Sequence, residues 1–177
     1  MKLHLGCGTK KLEGFINIDI RPEVTPDIID DISLLNEIED NSVDLIYCCH
    51  VLEHFGRHEY MNVLKLWAKK LKDGGRLRIS VPDIDVAARL IYEKKYPLRK
   101  MWGMFYGGQT YNENYHYVGF NFETLQEDLK ELGFRDVYLW NWRKTEHAHI
   151  DDYSQAYLPH MDKENGIQIS LNIEAIK

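Results

Sequence analysis

Hydrophobic and polar positions form short blocks along the chain, and these blocks predict strands that alternate with helices. Short apolar runs bounded by turn residues are typical of strands in a covered sheet. In the first half of the chain, the predicted strands comprise residues 3–5, 15–20, 27–29, 43–49 and 76–81. Their alternation with helical segments implies a mostly parallel sheet with helices on both faces.

Three segments carry apolar residues at helical spacing. The first extends from Tyr60 to Leu71 and ends before Gly74-Gly75, a pair that favours helix termination. The second spans Val86 to Ile91, and the third covers residues 122–132. The pattern therefore predicts an α/β, doubly wound, Rossmann-like fold.

Two further strands are predicted near the end of the sequence. The first runs from Val137 to Trp140, and the second alternates strictly over residues 167–175. Alternation with polar positions is typical of an antiparallel strand that leaves one face poorly covered. The prediction is thus a seven-stranded sheet with one antiparallel strand near its end.

A glycine turn and a strand-end carboxylate are the first candidate ligand contacts. Gly6 and Gly8 follow the first strand, and Asp19 ends the second. Glycines permit close backbone approach, free N–H groups there could receive a carboxylate, and an acid at this position can accept ribose hydroxyls. A plain turn and a solvated aspartate are the alternative interpretation.

The spacing of these residues is unusually short. Gly8 and Asp19 are 11 positions apart, whereas a dinucleotide fold needs about 20 over this stretch. Thr9 to Gly14 can hold one helical turn at most, so part of one sheet face must be covered by another segment. The candidates are residues 97–118, residues 143–166 or a partner subunit, and the last of these would make the protein a homodimer. The early acid, and Lys11 in place of a third glycine, argue against a nicotinamide-dependent oxidoreductase.

Six motifs in order resemble those of a class I S-adenosylmethionine-dependent methyltransferase. They are Leu3-His4-Leu5-Gly6-Cys7-Gly8, Asn17-Ile18-Asp19, Asp31-Ile32, Ser42-Val43-Asp44-Leu45-Ile46, His50-Val51-Leu52-Glu53-His54 and Leu71-Lys72-Asp73-Gly74-Gly75-Arg76-Leu77. The tail, Ser170 to Ala175, resembles small methyltransferases associated with bacterial surface-polysaccharide genes.

The resemblance implies S-adenosylmethionine as cofactor and names its contacts. These are Leu5, Gly6, Cys7, Gly8, Asp19, Ile20, Asp31, Ile32 and His50. Asp31 would accept from the adenine amine while the Ile32 backbone meets the ring edge; Asp30 is the competing carboxylate, and a helix cap over residues 32–37 is the structural alternative. Family members usually carry an acid where this chain has His4, which puts one contact to the methionine end in doubt.

Candidate general bases lie near the expected methyl group. His50 and His116 are the first choices, followed by Glu53 and His54, because a histidine titrates close to neutral pH. A hydrogen-bonded structural role is the alternative for each residue.

Two metal-like motifs compete with this interpretation. His50 to His54 fits H-x-x-E-H, a zinc-hydrolase pattern. We nevertheless expect no metal there, because His50 directly follows a strand and no third ligand follows on a helix. Glu146, His147 and His149 form a second cluster, which is interpreted as an exposed polar loop.

An aromatic segment, residues 96–122, follows the fifth strand, where ligands gather in such sheets. We expect one domain over residues 1–177, with residues 97–118 and 143–166 as acceptor-pocket or lid insertions. Flat aromatic faces suit a sugar or another ring, so the expected acceptor is a small-molecule or glycan hydroxyl. These aromatics could instead cover the sheet face, and a non-catalytic cofactor-binding module is the alternative function.

Composition narrows the remaining partner classes. The formal charge of −6 argues against a nucleic-acid partner, which usually requires a basic surface. No apolar run reaches the length of a membrane span. The three cysteines include an adjacent pair, a poor disulfide framework, so we expect a reducing, cytoplasmic setting.

Overall fold

A computed structural model describes residues 1–177 and contains nine strands and four α-helices. The strands are β1 (Lys2–Leu5), β2 (Ile16–Asp19), β3 (Ile28–Ile29), β4 (Val43–Cys49), β5 (Leu71–Pro82), β6 (Arg135–Leu139), β7 (Tyr157–Leu158), β8 (Ile167–Gln168) and β9 (Ser170–Ile176). The helices are α1 (Tyr60–Lys70), α2 (Ile84–Tyr92), α3 (Leu98–Tyr106) and α4 (Phe122–Glu131). None of the helices is long and apolar enough to cross a membrane.

Seven strands form one sheet in the order β3-β2-β1-β4-β5-β9-β6, and β7 and β8 form a separate hairpin. Strands β1 to β5 are parallel, whereas β9 runs antiparallel between β5 and β6. The predicted seven-stranded, mostly parallel sheet is confirmed. The chain leaves β1 toward β2 on one side and later returns to β4 on the other, so a ligand crevice is expected at the carboxyl ends of β1 and β4.

The larger core lies between the sheet and helices α1 and α4. Trp67 of α1 is fully buried, and its indole N–H donates to the Ile32 carbonyl at 2.9 Å. Asn121 begins α4 by accepting the Thr124 backbone N–H. Helices α1 and α4 begin and end within one residue of their predicted bounds, but Gly74-Gly75 does not end α1: the helix ends at Lys70, Leu71 is already extended, and both glycines lie inside β5.

The face left open by the short β1–β2 connection is covered by a later part of the same chain. Residues 9–14 contain no helix, as expected. A second apolar cluster fills the gap; its members are Leu12, Phe15, Leu45, Tyr47, Trp140, Trp142 and Tyr157, with Ile150 packed against them. The covering segment thus lies within residues 140–157, close to the predicted candidate 143–166, and the homodimer stays a prediction.

The polar side of β9 is buried, so the prediction of a poorly covered face was wrong. Asn172 accepts a hydrogen bond from Ser80 at 2.7 Å and donates to the Ser154 carbonyl at 2.9 Å. Glu174 pairs with Arg78 at 2.6 Å. These polar residues have partners from distant segments, which is how buried polar groups are usually accommodated.

Two helical expectations also need correction. The aromatic segment includes a helix, α3, whose Met101 packs against Ala87 and Leu90 of α2. Residues 97–118 therefore pack beside α2 instead of covering the open sheet face. Residues 32–37 form turns, not a helix, although Asp31 does cap the first of them by accepting from Ser33 at 2.8 Å.

Two buried histidines, His4 of β1 and His147, are expected to destabilise the folded protein at acid pH. Burial lowers the pKa of His4 to about 4 and also lowers the pKa of His147. The unfolded chain binds these protons near pH 6.5, whereas the folded chain does not. We expect the contribution of each of these histidines to the free energy of unfolding to be fully present above about pH 6.5 and to be lost toward pH 4, by up to about 1.4 kcal/mol per pH unit.

Urea denaturation between about pH 4.5 and 7 measures this dependence. His4→Gln should flatten the slope, whereas His149→Gln, at an exposed position, should leave it unchanged. Equal slopes in wild type and His4→Gln would show that folding does not exclude a proton from His4.

Candidate active site

The glycine turn after β1 adopts a backbone that disfavours side chains. Gly6 has φ +65° and Gly8 has φ +51°, both in the left-handed region. A Cβ on Gly6 would lie 2.4 Å from Cγ2 of Val51, which follows β4. The turn and the β4 loop therefore meet at the predicted crevice, and Gly6 is required by both its dihedral angle and its neighbour.

The N–H groups of this turn are not free, contrary to expectation. Gly6 and Cys7 donate to the Ile18 carbonyl at 2.8 and 3.1 Å, and Gly8 donates to Asp19 Oδ2 at 2.8 Å. The carboxylate of Asp19 thus connects the ends of β1 and β2 directly. The turn offers a close backbone approach, with no side chain between Gly6 and the crevice.

Asp19 is buried and already paired. Its Oδ1 accepts from the Arg21 backbone N–H at 3.0 Å and from Arg21 Nε at 3.2 Å. The guanidinium lies over the Tyr111 ring, 4.9 Å from its centroid. Arg21, which sequence reasoning missed, and Tyr111 of the predicted acceptor-pocket segment therefore cover the carboxylate from the outside.

The carboxyl ends of β2 and β3 bring the predicted adenine contacts together. The Asp30 backbone N–H donates to the Asp19 carbonyl at 3.3 Å, so Asp30 and Asp31 lie beside Ile20. Ile20 is half exposed, and Ile32 is buried. An exposed apolar side chain beside two carboxylates is a suitable platform for a planar ring that donates hydrogen bonds.

Gly6→Ala is expected to lower the free energy of unfolding by about 2–4 kcal/mol, because strain at positive φ adds to a clash with Val51. Gly14→Ala is the matched control: Gly14 has φ +77° but nothing within 4 Å of its Cβ position. It should cost only about 1 kcal/mol. Urea denaturation of both variants measures the difference, and equal losses would show that Val51 yields to the added methyl group.

Four candidate catalytic residues converge beyond this turn. His50 has φ +53° directly after β4, and residues 52–54 form a single 3-10 turn. His50 Nδ1 lies 3.4 Å from Glu53 Oε1, and His116 Nε2 lies 3.8 Å from the same oxygen. His54 packs its ring 4.9 Å from that of His116. The structure thus brings together all four residues selected from the sequence.

Glu53 is the central member of this cluster. Its side chain is 1% exposed, and neither carboxylate oxygen has a hydrogen-bond partner. Burial raises the pKa of Glu53 to about 8 and lowers the pKa of His50 to about 3. Burial also lowers the pKa of His54 and of His116. The histidines therefore remain neutral at physiological pH.

Partners outside the cluster set the histidine tautomers. His116 Nδ1 bonds the Met104 carbonyl at 3.0 Å, and His54 Nδ1 bonds the Tyr115 carbonyl at 2.9 Å. Carbonyls only accept, so both Nδ1 atoms carry the proton. Ser170 Oγ donates to the Tyr153 carbonyl, so it accepts the Nε2 proton of His50. His50 and His116 consequently present lone pairs to Glu53.

Two segments wall this crevice. Tyr111 contacts Arg21 at the glycine-turn side, and the Tyr117 backbone N–H donates to the Glu53 carbonyl at 2.9 Å. On the other side, Tyr153 lies 5.3 Å from the ring of His50. Both 97–118 and 143–166 thus reach the candidate site, through residues whose role the sequence alone did not indicate.

Neither of the two metal-like sequence motifs has the arrangement in the structure that its sequence suggested. The H-x-x-E-H residues do not lie on one α-helix, so the zinc-hydrolase geometry is absent. His147 is buried against Tyr47 instead of lying in an exposed loop, while Glu146 pairs with Lys2 and Arg78. The one group of ligand atoms that lie within 4.8 Å of one another belongs to Glu53, His54 and His116.

Comparison with known proteins gives consistent results. A family model described as a methyltransferase domain matches residues 10–169. No significant sequence match is found among functionally curated proteins.

Solved structures resemble the chain over 99% of its length. A SAM dependent methyltransferase from Archaeoglobus fulgidus has a TM-score of 0.63 and 22% identity, with 85% of that chain covered. A SAM-dependent methyltransferase from Methanosarcina mazei has a TM-score of 0.63 and 19% identity, with 91% covered.

A third similar structure is the 1,6-didemethyltoxoflavin-N1-methyltransferase of Burkholderia thailandensis, with bound 1,6-didemethyltoxoflavin and S-adenosylhomocysteine. Its TM-score is 0.56 and its identity 14%, with 99% of this chain and 70% of that chain covered. At these identities, the likeness of all three structures lies in the fold.

Proposed function

We propose that this chain methylates a hydroxyl group of a small molecule or a glycan. The chain belongs to the methyltransferase domain family. It is an S-adenosylmethionine-dependent methyltransferase. The acceptor and the roles of individual residues are the proposed part. The observation that carries the proposal is the buried cluster of His50, Glu53 and His116 beside the glycine turn.

The cofactor contacts are assigned from the geometry of the strand ends. The turn of residues 5–8 would receive the methionine part, because Gly6 leaves space for it. Asp19 would accept the ribose hydroxyls in exchange for its contact with Arg21. Ile20 would lie against the adenine, with Asp31 and the Ile32 backbone at its edge.

His50 is assigned as the general base. The cofactor supplies a methyl group activated by a sulfonium. When the acceptor oxygen takes up that methyl group, its hydroxyl proton would pass to Nδ1 of His50. Glu53 Oε1, 3.4 Å away, would be the acidic group that lies beside the resulting imidazolium. Alignment and water exclusion contribute the rest of the acceleration.

The acceptor site is proposed between the two walls formed by residues 97–118 and 143–166. Tyr111, Tyr117 and Tyr153 are all exposed there and offer flat faces for a sugar ring. The resemblance of the tail to methyltransferases associated with surface-polysaccharide genes supports a glycan acceptor. The three free cysteines agree with a reducing cytoplasm as the place of action.

Two measurements test this function. Calorimetry should detect S-adenosylmethionine binding to the isolated protein. Release of S-adenosylhomocysteine should then follow with a member of a panel of hydroxyl-bearing sugars and small rings, and not with matched deoxy compounds. Turnover with amines alone would contradict the hydroxyl assignment. Binding without any turnover would favour the non-catalytic module, whose support is the internally paired Asp19.

A further inference from the structure

Several hydrogen-bond acceptors meet at Glu53, whose own acid proton can satisfy only one of them. The two oxygens of Glu53 have no partner, and the deprotonated nitrogens of His50 and His116 face Oε1 at 3.4 and 3.8 Å. A buried carboxylate without any hydrogen bond is costly, and nearby lone pairs add repulsion. A cation at this position would face all of these acceptor atoms at once.

We propose that Glu53, His54 and His116 bind one divalent transition-metal ion. Each residue offers a ligand atom, and these atoms lie within 4.8 Å of one another. Tetrahedral coordination at about 2.0–2.2 Å places ligand atoms about 3.4 Å apart, so binding would draw these side chains inward by up to about 1 Å. His116, on a loop remote in sequence, is the third ligand that the H-x-x-E-H spacing did not supply.

The surroundings resemble those of known metal sites in one physical respect. The Met104 and Tyr115 carbonyls hold the Nδ1 protons of His116 and His54, which leaves each Nε2 as the coordinating atom. Such outer contacts orient ligating histidines and increase their basicity. No lysine or arginine side chain pairs with Glu53, so no protein cation fills the place of the ion.

The donor set indicates the class of ion. Two imidazole nitrogens and one carboxylate oxygen suit zinc, cobalt, manganese or iron, whereas magnesium and calcium prefer oxygen ligands alone. Three protein ligands leave at least one coordination position open. His50, whose Nδ1 adjoins Glu53, borders that position.

The inferred use of the ion rests on the proposed function. An acceptor hydroxyl in the open position would become more acidic, and His50 would accept its proton. The ion would also orient the acceptor oxygen. A vicinal diol, as found in sugars, would bind such an ion through both oxygens more tightly than a single hydroxyl.

Cobalt titration tests the metal site without relying on methyl transfer. Tag-free protein, dialysed against a chelator, is titrated with Co²⁺ and followed by visible absorption, with Zn²⁺ calorimetry in parallel. We expect about one ion per chain and d–d bands of a nitrogen-containing site. His116→Ala and Glu53→Gln should each weaken binding by about 100-fold or more, and His149→Ala, at an exposed site, should not.

Circular dichroism of each variant separates ligand loss from unfolding, and His54→Ala provides a third, independent test. The proposal is overturned if wild type binds no stoichiometric ion, or if folded His54→Ala and His116→Ala variants keep wild-type affinity. S-adenosylmethionine binding, measured separately on the metal-free protein, reports on the proposed function alone.

Discussion

His50→Gln is expected to lower kcat by about 10²–10⁴-fold while S-adenosylmethionine binding stays within about threefold of wild type. Glutamine preserves the approximate size and can still donate to Ser170, but it cannot accept the acceptor's proton. The loss should therefore appear in turnover and not in cofactor affinity. Release of S-adenosylhomocysteine with the acceptor found in the panel measures kcat, and calorimetry measures the affinity.

His149→Gln is the matched control for this substitution. His149 is exposed on the turn that follows Glu146, so kcat should remain unchanged. Wild-type turnover in His50→Gln would contradict the base assignment and would leave alignment as the main contribution at this position. A parallel loss of cofactor affinity would instead place His50 in the cofactor site.

Asp19→Asn is expected to weaken S-adenosylmethionine binding by about 10²-fold or more. Asparagine can still accept the Gly8 N–H, so the connection between β1 and β2 persists. It loses the charge and one of the two acceptor oxygens that the ribose hydroxyls require, and hydrogen bonds to a charged group contribute about 1.5–3 kcal/mol each. Calorimetry on folded protein gives the dissociation constant directly.

Arg21→Gln distinguishes recognition of the ribose from a structural role of Asp19. This substitution removes the ion pair at 3.2 Å but leaves the carboxylate in place. Because the ribose competes with Arg21 for Asp19, the Arg21 variant should bind the cofactor as tightly as wild type or more tightly. Weak binding in Arg21→Gln together with normal binding in Asp19→Asn would reverse the assignment.

The elements around the site follow from local pattern. The apolar run of β4 and the helical spacing of α1 were recognisable because burial on one side leaves a periodic trace in the sequence. Helix α3 was missed because its aromatic residues do not mark a buried face: Met101 is buried, whereas Trp102 and Tyr106 are exposed. Aromatic content and burial are separate properties in this segment.

Polar alternation was the least reliable signal. In β9 it suggested solvent, yet Asn172 and Glu174 are buried against Ser80 and Arg78 of β5. The partners lie about 90 or more positions earlier in the chain. No local pattern distinguishes an exposed polar residue from a buried one whose partner comes from a neighbouring strand.

The short β1–β2 connection also shows which features the local sequence determines and which depend on distant residues. The distance of 11 residues from Gly8 to Asp19 was sufficient to exclude a long helix. It was not sufficient to decide which segment covers the exposed face. That choice depends on Trp140, Trp142 and Tyr157 packing against Phe15 and Tyr47, contacts that form only between distant parts of the chain.

The candidate site combines both kinds of information. The amino-acid pattern was enough for the sheet and for the strand-end positions of the glycine turn, Asp19 and His50, because short motifs and strand ends are local properties; the roles of His50, Glu53, His54 and His116 stay a prediction. The meeting of His116 with Glu53, the burial that leaves this carboxylate without a partner, and the cover that Arg21 and Tyr111 place over Asp19 arise only on folding. They depend on long-range contacts, whose distances and desolvation are not encoded in any single stretch of the sequence.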